Sequence, residues 1–573
     1  MSHAWGCVWR RGRRGGREIA LDLLLLMGLG LVLMASGLGL RDPWPADEPR
    51  FALVARDMLA SGDWLIPRIG GDTYEDKPPL FFWLIAASLW LTQSLRVAFL
   101  LPSLLAALGC VALVYDLGRR LWSREAGLAA GLALLAAVQF VWQGRQGQID
   151  ATLCFWTTLG LYGLLRHLLL GPAWGWHALG WAAAGFGIIT KGVGFLPLLL
   201  FVPYVLARGS RWQPRPRLGG GAAWALGPLA LLAAVSVWLV PLWLALRADP
   251  SLAAYADEIF FEQTVERYTN AWHHLKPFWY FLVNVIPILW LPLTALLPWL
   301  VPRWRASLRN GDLRILLLLT WIVMVVAFFS FSSGKRGVYV LPALPALALI
   351  CGPYLVELAG ERSAQRMVFA LAGLVAAVAF GAAGYALVDP GIRAHVLERY
   401  GLDVVGPLAL IGALGALACA VAGPRRGFAA WGATLAATLL VIGYWANPAM
   451  DAVRSGAAFA RLVESATADV AELGLVGYKE QYLLQLRRPT VNFGHARWRE
   501  HRAEAADAAA WLAQRPSRML LADPEAIAAC FTTAVTREVA VANRKRWFLV
   551  SGPADPHCVA RGDARAARAY GGR

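Results

Sequence analysis

Two short charged segments carry the residue types that could do chemistry. Asp47-Glu48-Pro49-Arg50-Phe51 sets two carboxylates and a guanidinium within about one helical turn, and Tyr74-Glu75-Asp76-Lys77-Pro78-Pro79 follows soon after. Either Asp47 or Glu48 could act as a general base that takes a proton from an acceptor hydroxyl. Arg50, one turn on, could orient that carboxylate or hold a phosphate. Lys77, beside an apolar run, is a natural clamp for a lipid phosphate, and Asp76 offers one oxygen ligand for a divalent cation. Structural alternatives stand beside these readings: Asp-Glu-Pro also suits the start of a helix over Phe51–Leu59, and Lys77 could simply snorkel to an interface.

Further candidates are scattered along the chain. Asp150 follows Gln146-Gly147-Gln148 and precedes an apolar run, so it is either a site carboxylate or an N-cap. Lys191, in Thr190-Lys191-Gly192, is a cation between two apolar stretches. The loop 255–274 carries Asp257, Glu258, Glu262, Glu266, His273 and His274, among which Glu262 is the residue to test. Lys335 and Arg336, with Tyr339 one turn on, could hold a phosphate or pyrophosphate headgroup or could anchor a span at the interface.

The elements that must position these groups are membrane spans. The chain has 573 residues, 58% hydrophobic and 16% charged, where a soluble chain has about 25% charged. Apolar stretches long enough to cross a hydrocarbon core recur from residue 19 to residue 446, and about thirteen spans are expected. The net charge of +17 resides largely in short Arg-bearing loops, the pattern of cytoplasmic loops rather than of nucleic-acid binding. Arg10-Arg11-Gly12-Arg13-Arg14 resembles a signal-peptide start, but the run Ile19–Leu40 lacks a small-residue cleavage site and reads as a retained first span.

Sidedness follows from the basic loops. If Leu80–Leu91 crossed the membrane, Arg119 and Arg120 would fall outside; if it lies along the interface, they and every later basic loop fall inside. The second arrangement puts the N-terminus in the cytoplasm and the C-terminus outside. It also gathers Asp47–Lys77, Gln143–Asp150, Lys191, the loop 248–277 and Ser332–Arg336 on the outer face.

Residues 1–448 thus form a polytopic membrane domain. Residues 449–573 differ in composition and read as a small α/β domain on the outer side, with a helix at Ala503–Leu512 and strands at Met519–Ala522 and Trp547–Val550. The seven cysteines include no zinc spacing; Cys530 and Cys558, alone in the tail, are either a disulfide or two buried thiols.

These motifs together resemble the GT-C membrane glycosyltransferases that use polyprenyl-phosphate sugars. The resemblance is nearest to the lipid A 4-amino-4-deoxy-L-arabinose transferases and the protein O-mannosyltransferase type. It rests on Asp47-Glu48-Pro49-Arg50, Ser61-Gly62-Asp63-Trp64, Asp76-Lys77-Pro78, Thr190-Lys191-Gly192 and Ser333-Gly334-Lys335 with Tyr339-Val340-Leu341-Pro342. It implies a mainly α membrane protein of GT-C fold, with juxtamembrane helices and a periplasmic C-terminal α/β domain, in a bacterial inner membrane. It implies Asp47 as base or transition-state stabiliser, Arg50, Lys77 and Tyr339 near the donor phosphate, Asp76 near a divalent ion, and Asp150 as a second acidic position. The family often has Glu at the Asp76 position, and Glu-His where this chain has Glu262-Gln263; both departures bear on the metal rather than on the donor site.

The implied reaction is an inverting transfer from an undecaprenyl-type phosphate sugar to lipid A, another glycolipid or a protein Ser/Thr hydroxyl. No nucleotide fingerprint is present, so no nucleotide cofactor is expected. A lipid-linked sugar flippase is the non-enzyme alternative; it would carry charges at mid-membrane and inverted repeats.

Overall fold

The computed structural model describes residues 2–207, 212, 216–260, 275–495, 497 and 500–571. Its body is helical. Among the described residues, seven helices are long and apolar enough to cross a membrane, including Leu95–Leu121, Ile149–Leu170, Leu313–Phe331 and Arg362–Val388. The pair Phe281–Leu289 and Thr294–Arg309, bent by 97°, would make an eighth. The chain is a multi-pass membrane protein, but the expected count of about thirteen is not reached by length and composition. The reason is local: several apolar runs are interrupted. Arg124–Ala136 gives way to Val138–Gln143 at Ala137, whose backbone is extended, and Leu196–Leu200 winds as a 3-10 helix before Phe201–Leu206.

The helix Leu80–Thr92 has 13 residues and is therefore about 20 Å long, too short to cross. It packs instead on the helix Glu48–Ser61, where Phe51 meets Phe81 and Phe82 at centroid distances of 5.6 and 5.7 Å. Pro49 suits the first turn of Glu48–Ser61, whose own N–H groups lack intrahelical partners there. Gly62 ends the helix in the left-handed region (φ 75°), where its N–H bonds to the Met58 carbonyl. A two-stranded hairpin, β1 (Arg68–Ile69) and β2 (Asp72–Thr73), follows.

The C-terminal part is a small sheet domain. Strands β3 (Glu472–Leu475), β4 (Thr490–Asn492), β5 (Arg518–Ala522), β6 (Val535–Ala542), β7 (Lys545–Ser551) and β8 (Arg568–Tyr570) form one sheet in the order β6-β7-β5-β3-β4-β8. The three central strands are parallel and the flanking ones antiparallel. The helix expected at Ala503–Leu512 runs His501–Ala513, and both expected strands are present as β5 and β7. Cys530 and Cys558 form a disulfide, while Cys110, Cys154, Cys351 and Cys419, in the helical body, are free.

The sheet domain and the short helices beside it share one apolar core. Phe51, Leu53, Ile69, Tyr74, Phe81 and Phe82 pack in the same cluster as Phe459, Leu473, Leu475, Tyr482, Leu483 and Trp547. Burying such side chains stabilises the contact by roughly 1.5–3 kcal/mol each relative to exposure. Polar ties reinforce it: Arg56 donates to the carbonyl of Leu483 (3.1 Å) and to the Tyr570 hydroxyl (2.8 Å), and Asn492 donates to the Gly70 carbonyl (3.1 Å).

Candidate active site

Asp47 occupies the N-cap position of the helix Glu48–Ser61, yet its side chain makes no cap hydrogen bond. Its carboxylate instead accepts from Arg336 Nη2 at 2.6 Å, across 289 residues of chain. Arg336 precedes a 3-10 turn, Gly337–Val340, that is tied down by Gln139 donating to the Gly337 carbonyl (2.8 Å). Burial disfavours the Arg336 charge, but Asp47, and more weakly Asp150, outweigh it and raise its pKa above the ordinary arginine value.

Asp150 lies in the first turn of the helix Ile149–Leu170, where Gln148 rather than Asp150 is the cap residue. Its partner is Lys191, the last residue of the helix Trp174–Lys191, which Gly192 closes at φ 77°. Lys191 Nζ also stands 4.7 Å over the Tyr339 ring, a cation–π contact. Thus Asp47, Arg336, Asp150, Lys191 and Tyr339, from four separate parts of the sequence, form one group at the end of the helical body that carries the sheet domain.

Arg50 forms a second group close by. Its Nε donates to Glu480 Oε1 of the sheet domain at 3.0 Å, and its Nη1 is 3.4 Å from Asp76 Oδ2. Burial works against the guanidinium charge, while Tyr74, Glu480 and Asp76 more than offset it and hold the pKa above the ordinary arginine value. Tyr74 is buried; that burial, with Asp76 and Asp47 adding to it, pushes its phenol well up. Lys77 Nζ donates to the Asp76 carbonyl at 2.6 Å.

Other expected residues are placed differently. Glu48 is buried and accepts from the Arg41 guanidinium through both oxygens, from the Trp44 N–H (2.9 Å) and from the Gly147 N–H (2.9 Å). With four donors around it, this carboxylate is directed into the protein. Lys335 is also buried, and its ammonium donates to the carbonyls of Lys276 (3.0 Å) and Ser332. Glu262 lies outside the described residues.

The fit of a divalent ion at Asp76 can be tested on the donor set. Asp76 faces the Arg50 guanidinium and is not part of a converging group of three His, Cys, Asp or Glu side chains among the described residues. One such group does occur, His501 with Asp523 and Glu525, but Lys545 pairs with both of its carboxylates. A cation already occupies that position.

Glu480, His495 and Tyr74 are contributors the sequence reading did not identify. Glu480 and His495 lie more than 400 residues from Arg50, in a domain whose charged residues carry no local motif. Tyr74 does stand within the second charged segment, next to an apolar helix. An aromatic hydroxyl between carboxylates was the available signal there.

The comparisons with known proteins agree with this architecture. Residues 76–240 match the family of dolichyl-phosphate-mannose-protein mannosyltransferases. The chain is 34% identical over 352 residues to the undecaprenyl phosphate-alpha-4-amino-4-deoxy-L-arabinose arabinosyl transferase of Pseudomonas aeruginosa, covering 60% of each protein. It is 31% identical over 384 residues to the protein of the same name from Edwardsiella ictaluri, covering 64% of this chain and 65% of that one. The matched region therefore spans somewhat under two thirds of these relatives. The fold extends further. The crystal structure of ArnT from Cupriavidus metallidurans bound to undecaprenyl phosphate superposes with a TM-score of 0.74 at 25% identity, covering 92% of this chain and 99% of that one. In sequence the chain is similar to these arabinosyl transferases and, over residues 76–240, to the protein mannosyltransferases, and it has the fold of ArnT.

Proposed function

We propose that the protein is an inverting glycosyltransferase that moves a sugar from a polyprenyl (undecaprenyl) phosphate to lipid A or a related glycolipid on the periplasmic side of a bacterial inner membrane. One observation carries this reading. The Asp47 carboxylate leaves its capping position and joins Arg336, Asp150, Lys191 and Tyr339 in one polar group, on the fold of a protein solved with undecaprenyl phosphate.

In the proposed reaction the acceptor oxygen attacks the anomeric carbon as the bond from that carbon to the phosphate oxygen breaks. The leaving group is polyprenyl phosphate, already an anion, so no strong acid is required. Arg50, Lys77, Lys191 and Arg336 stabilise the charge that accumulates on it, and Tyr339 lends a hydroxyl. Asp47 takes the acceptor proton, and Asp150 fixes Lys191. Displacement from the opposite face inverts the anomeric centre. The proposed topology has the N-terminus cytoplasmic and residues 449–573 periplasmic, which puts all these groups on the side where lipid-linked sugars are consumed.

The test uses the protein in lipid nanodiscs with radiolabelled polyprenyl-phosphate sugars and three acceptors: lipid A, a second glycolipid and a Ser/Thr peptide. Label transfer to lipid A that is abolished in Asp47→Asn supports the reading. Transfer to the peptide instead would move the protein to the mannosyltransferase-like acceptor class that the match over residues 76–240 suggests. Wild-type transfer by Asp47→Asn would sink the assignment of the base.

A further inference from the structure

Arg50 is a long side chain, and holding it in one rotamer costs about 2 kcal/mol of conformational entropy unless something fixes it. The helix Glu48–Ser61 supplies its backbone position but only part of its surroundings, since the side chain remains about a quarter exposed. What fixes it comes from the sheet domain. We infer that Glu480 is a positioning residue for Arg50, and that through it the C-terminal sheet domain is part of the donor-phosphate site. This inference rests on the proposed role of Arg50 as a phosphate ligand.

The geometry separates the two ends of the guanidinium. Glu480 accepts from Nε at 3.0 Å, a normal hydrogen-bond distance. Asp76 meets Nη1 at 3.4 Å, a long and weak contact. An arriving phosphate, offering oxygens to the terminal nitrogens, would therefore replace the Asp76 contact and leave the Nε–Glu480 contact in place. Glu480 acts as the anchor, and the terminal nitrogens face the ligand.

Glu480 is itself immobilised. It begins the short helix Glu480–Gln485, just beyond β3, and is only 14% exposed. His495 donates from Nε2 to the same Oε1 atom at 3.1 Å. The His495 backbone N–H donates to Asp72 in β2, and its ring meets the edge of Tyr74 at 6.4 Å. Tyr74, against whose ring His495 packs, is the neighbour that most favours the Arg50 charge. Burial raises the pKa of the Glu480 carboxyl, but His495 and Arg50 outweigh this and hold it at about 2, so it is ionised at neutral pH.

A residue that only glued the two parts of the protein together would affect stability, not the energetics of Arg50. A double-mutant cycle separates these cases. Equilibrium binding of undecaprenyl phosphate to the full-length protein in nanodiscs is measured for wild type, Arg50→Ala, Glu480→Gln and the double variant, with unfolding midpoints recorded in parallel. Loss of a charge-assisted hydrogen bond predicts about tenfold weaker binding for Glu480→Gln. The double variant should bind no more weakly than Arg50→Ala, and Glu480→Asp should recover part of the affinity. Wild-type binding by Glu480→Gln, or additive losses in the double variant, overturns the inference while the role of Arg50 stands. Wild-type binding by Arg50→Ala removes both. If Glu480→Gln fails to fold, Glu480→Asp with its own double variant carries the same comparison.

Discussion

Asp47 and Glu48 are consecutive carboxylates with opposite surroundings. The Glu48 side chain and its partner Arg41 are 5% and 3% exposed, while Asp47 and its partner Arg336 are 17% and 38% exposed. One pair is sealed between the helix start, Trp44 and the Gly147 backbone; the other lies near the Asp150–Lys191 pair. The difference teaches what each pair can do. A buried carboxylate with four donors has no lone pair to offer a substrate, but removing it strands a buried guanidinium. A half-exposed pair contributes little to stability, and its carboxylate can turn toward an acceptor.

The largest expected effect is on stability, at Glu48. Replacing it with Ala should cost about 3–5 kcal/mol, the usual consequence of breaking a buried pair, and should appear as a lowered unfolding midpoint and loss of monodisperse protein. A midpoint equal to wild type would erase the contrast between the two carboxylates. Next comes Asp47→Asn. Label transfer should fall about a thousandfold while the midpoint stays near that of wild type.

Glu504 sharpens the comparison, because it is a buried carboxylate that lacks a strong cationic partner. Its Oε1 accepts from the Gly477 N–H at 2.9 Å, and burial pushes its pKa up from 4.5 to about 7. A raised carboxyl pKa stabilises the fold below about pH 4.5, and that contribution is lost as pH rises through about 7. The loss amounts to about 3 kcal/mol. Glu504→Gln should flatten this slope in a denaturant titration of the sheet domain between those pH values; an unchanged slope would assign the dependence to other groups. The smallest effect is expected at Arg96, whose exposed guanidinium meets Asp42 at 2.9 and 3.0 Å. Arg96→Ala should change stability by no more than about 1 kcal/mol.

Much of this arrangement was legible in the chain. Apolar runs and their basic flanks identify a multi-pass protein, and the short run Leu80–Leu91 is indeed one short helix, Leu80–Thr92, of 13 residues. The charged segments named Asp47, Arg50, Asp150, Lys191, Arg336 and Tyr339 because charge beside an apolar run is costly and needs a reason. Whether Asp47 capped its helix was not legible, since only the distant Arg336 decides it. The same holds for Glu48 and Lys335, whose partners are Arg41 and two backbone carbonyls. The edge strand Val535–Ala542 was missed because Thr536, Arg537 and Glu538 interrupt the alternation that would mark it. The number of spans is the least legible feature, because several apolar runs are interrupted and helix length alone does not say which of them cross.

The apolar core shared by Phe51, Tyr74 and Phe82 with Tyr482 and Trp547 also sets an order of events during synthesis. Arg50 waits for Glu480, which lies 430 positions later, and Asp57 for Tyr570, 513 positions later. At roughly 5–20 residues per second, the helix Glu48–Ser61 leaves the ribosome about 20–100 seconds before these partners exist. The membrane body can therefore insert and pack while Arg50 is still unanchored. If the proposed function holds, competence for transfer arrives last, when the final strand closes the sheet, and a nascent or C-terminally clipped chain sits in the membrane inactive.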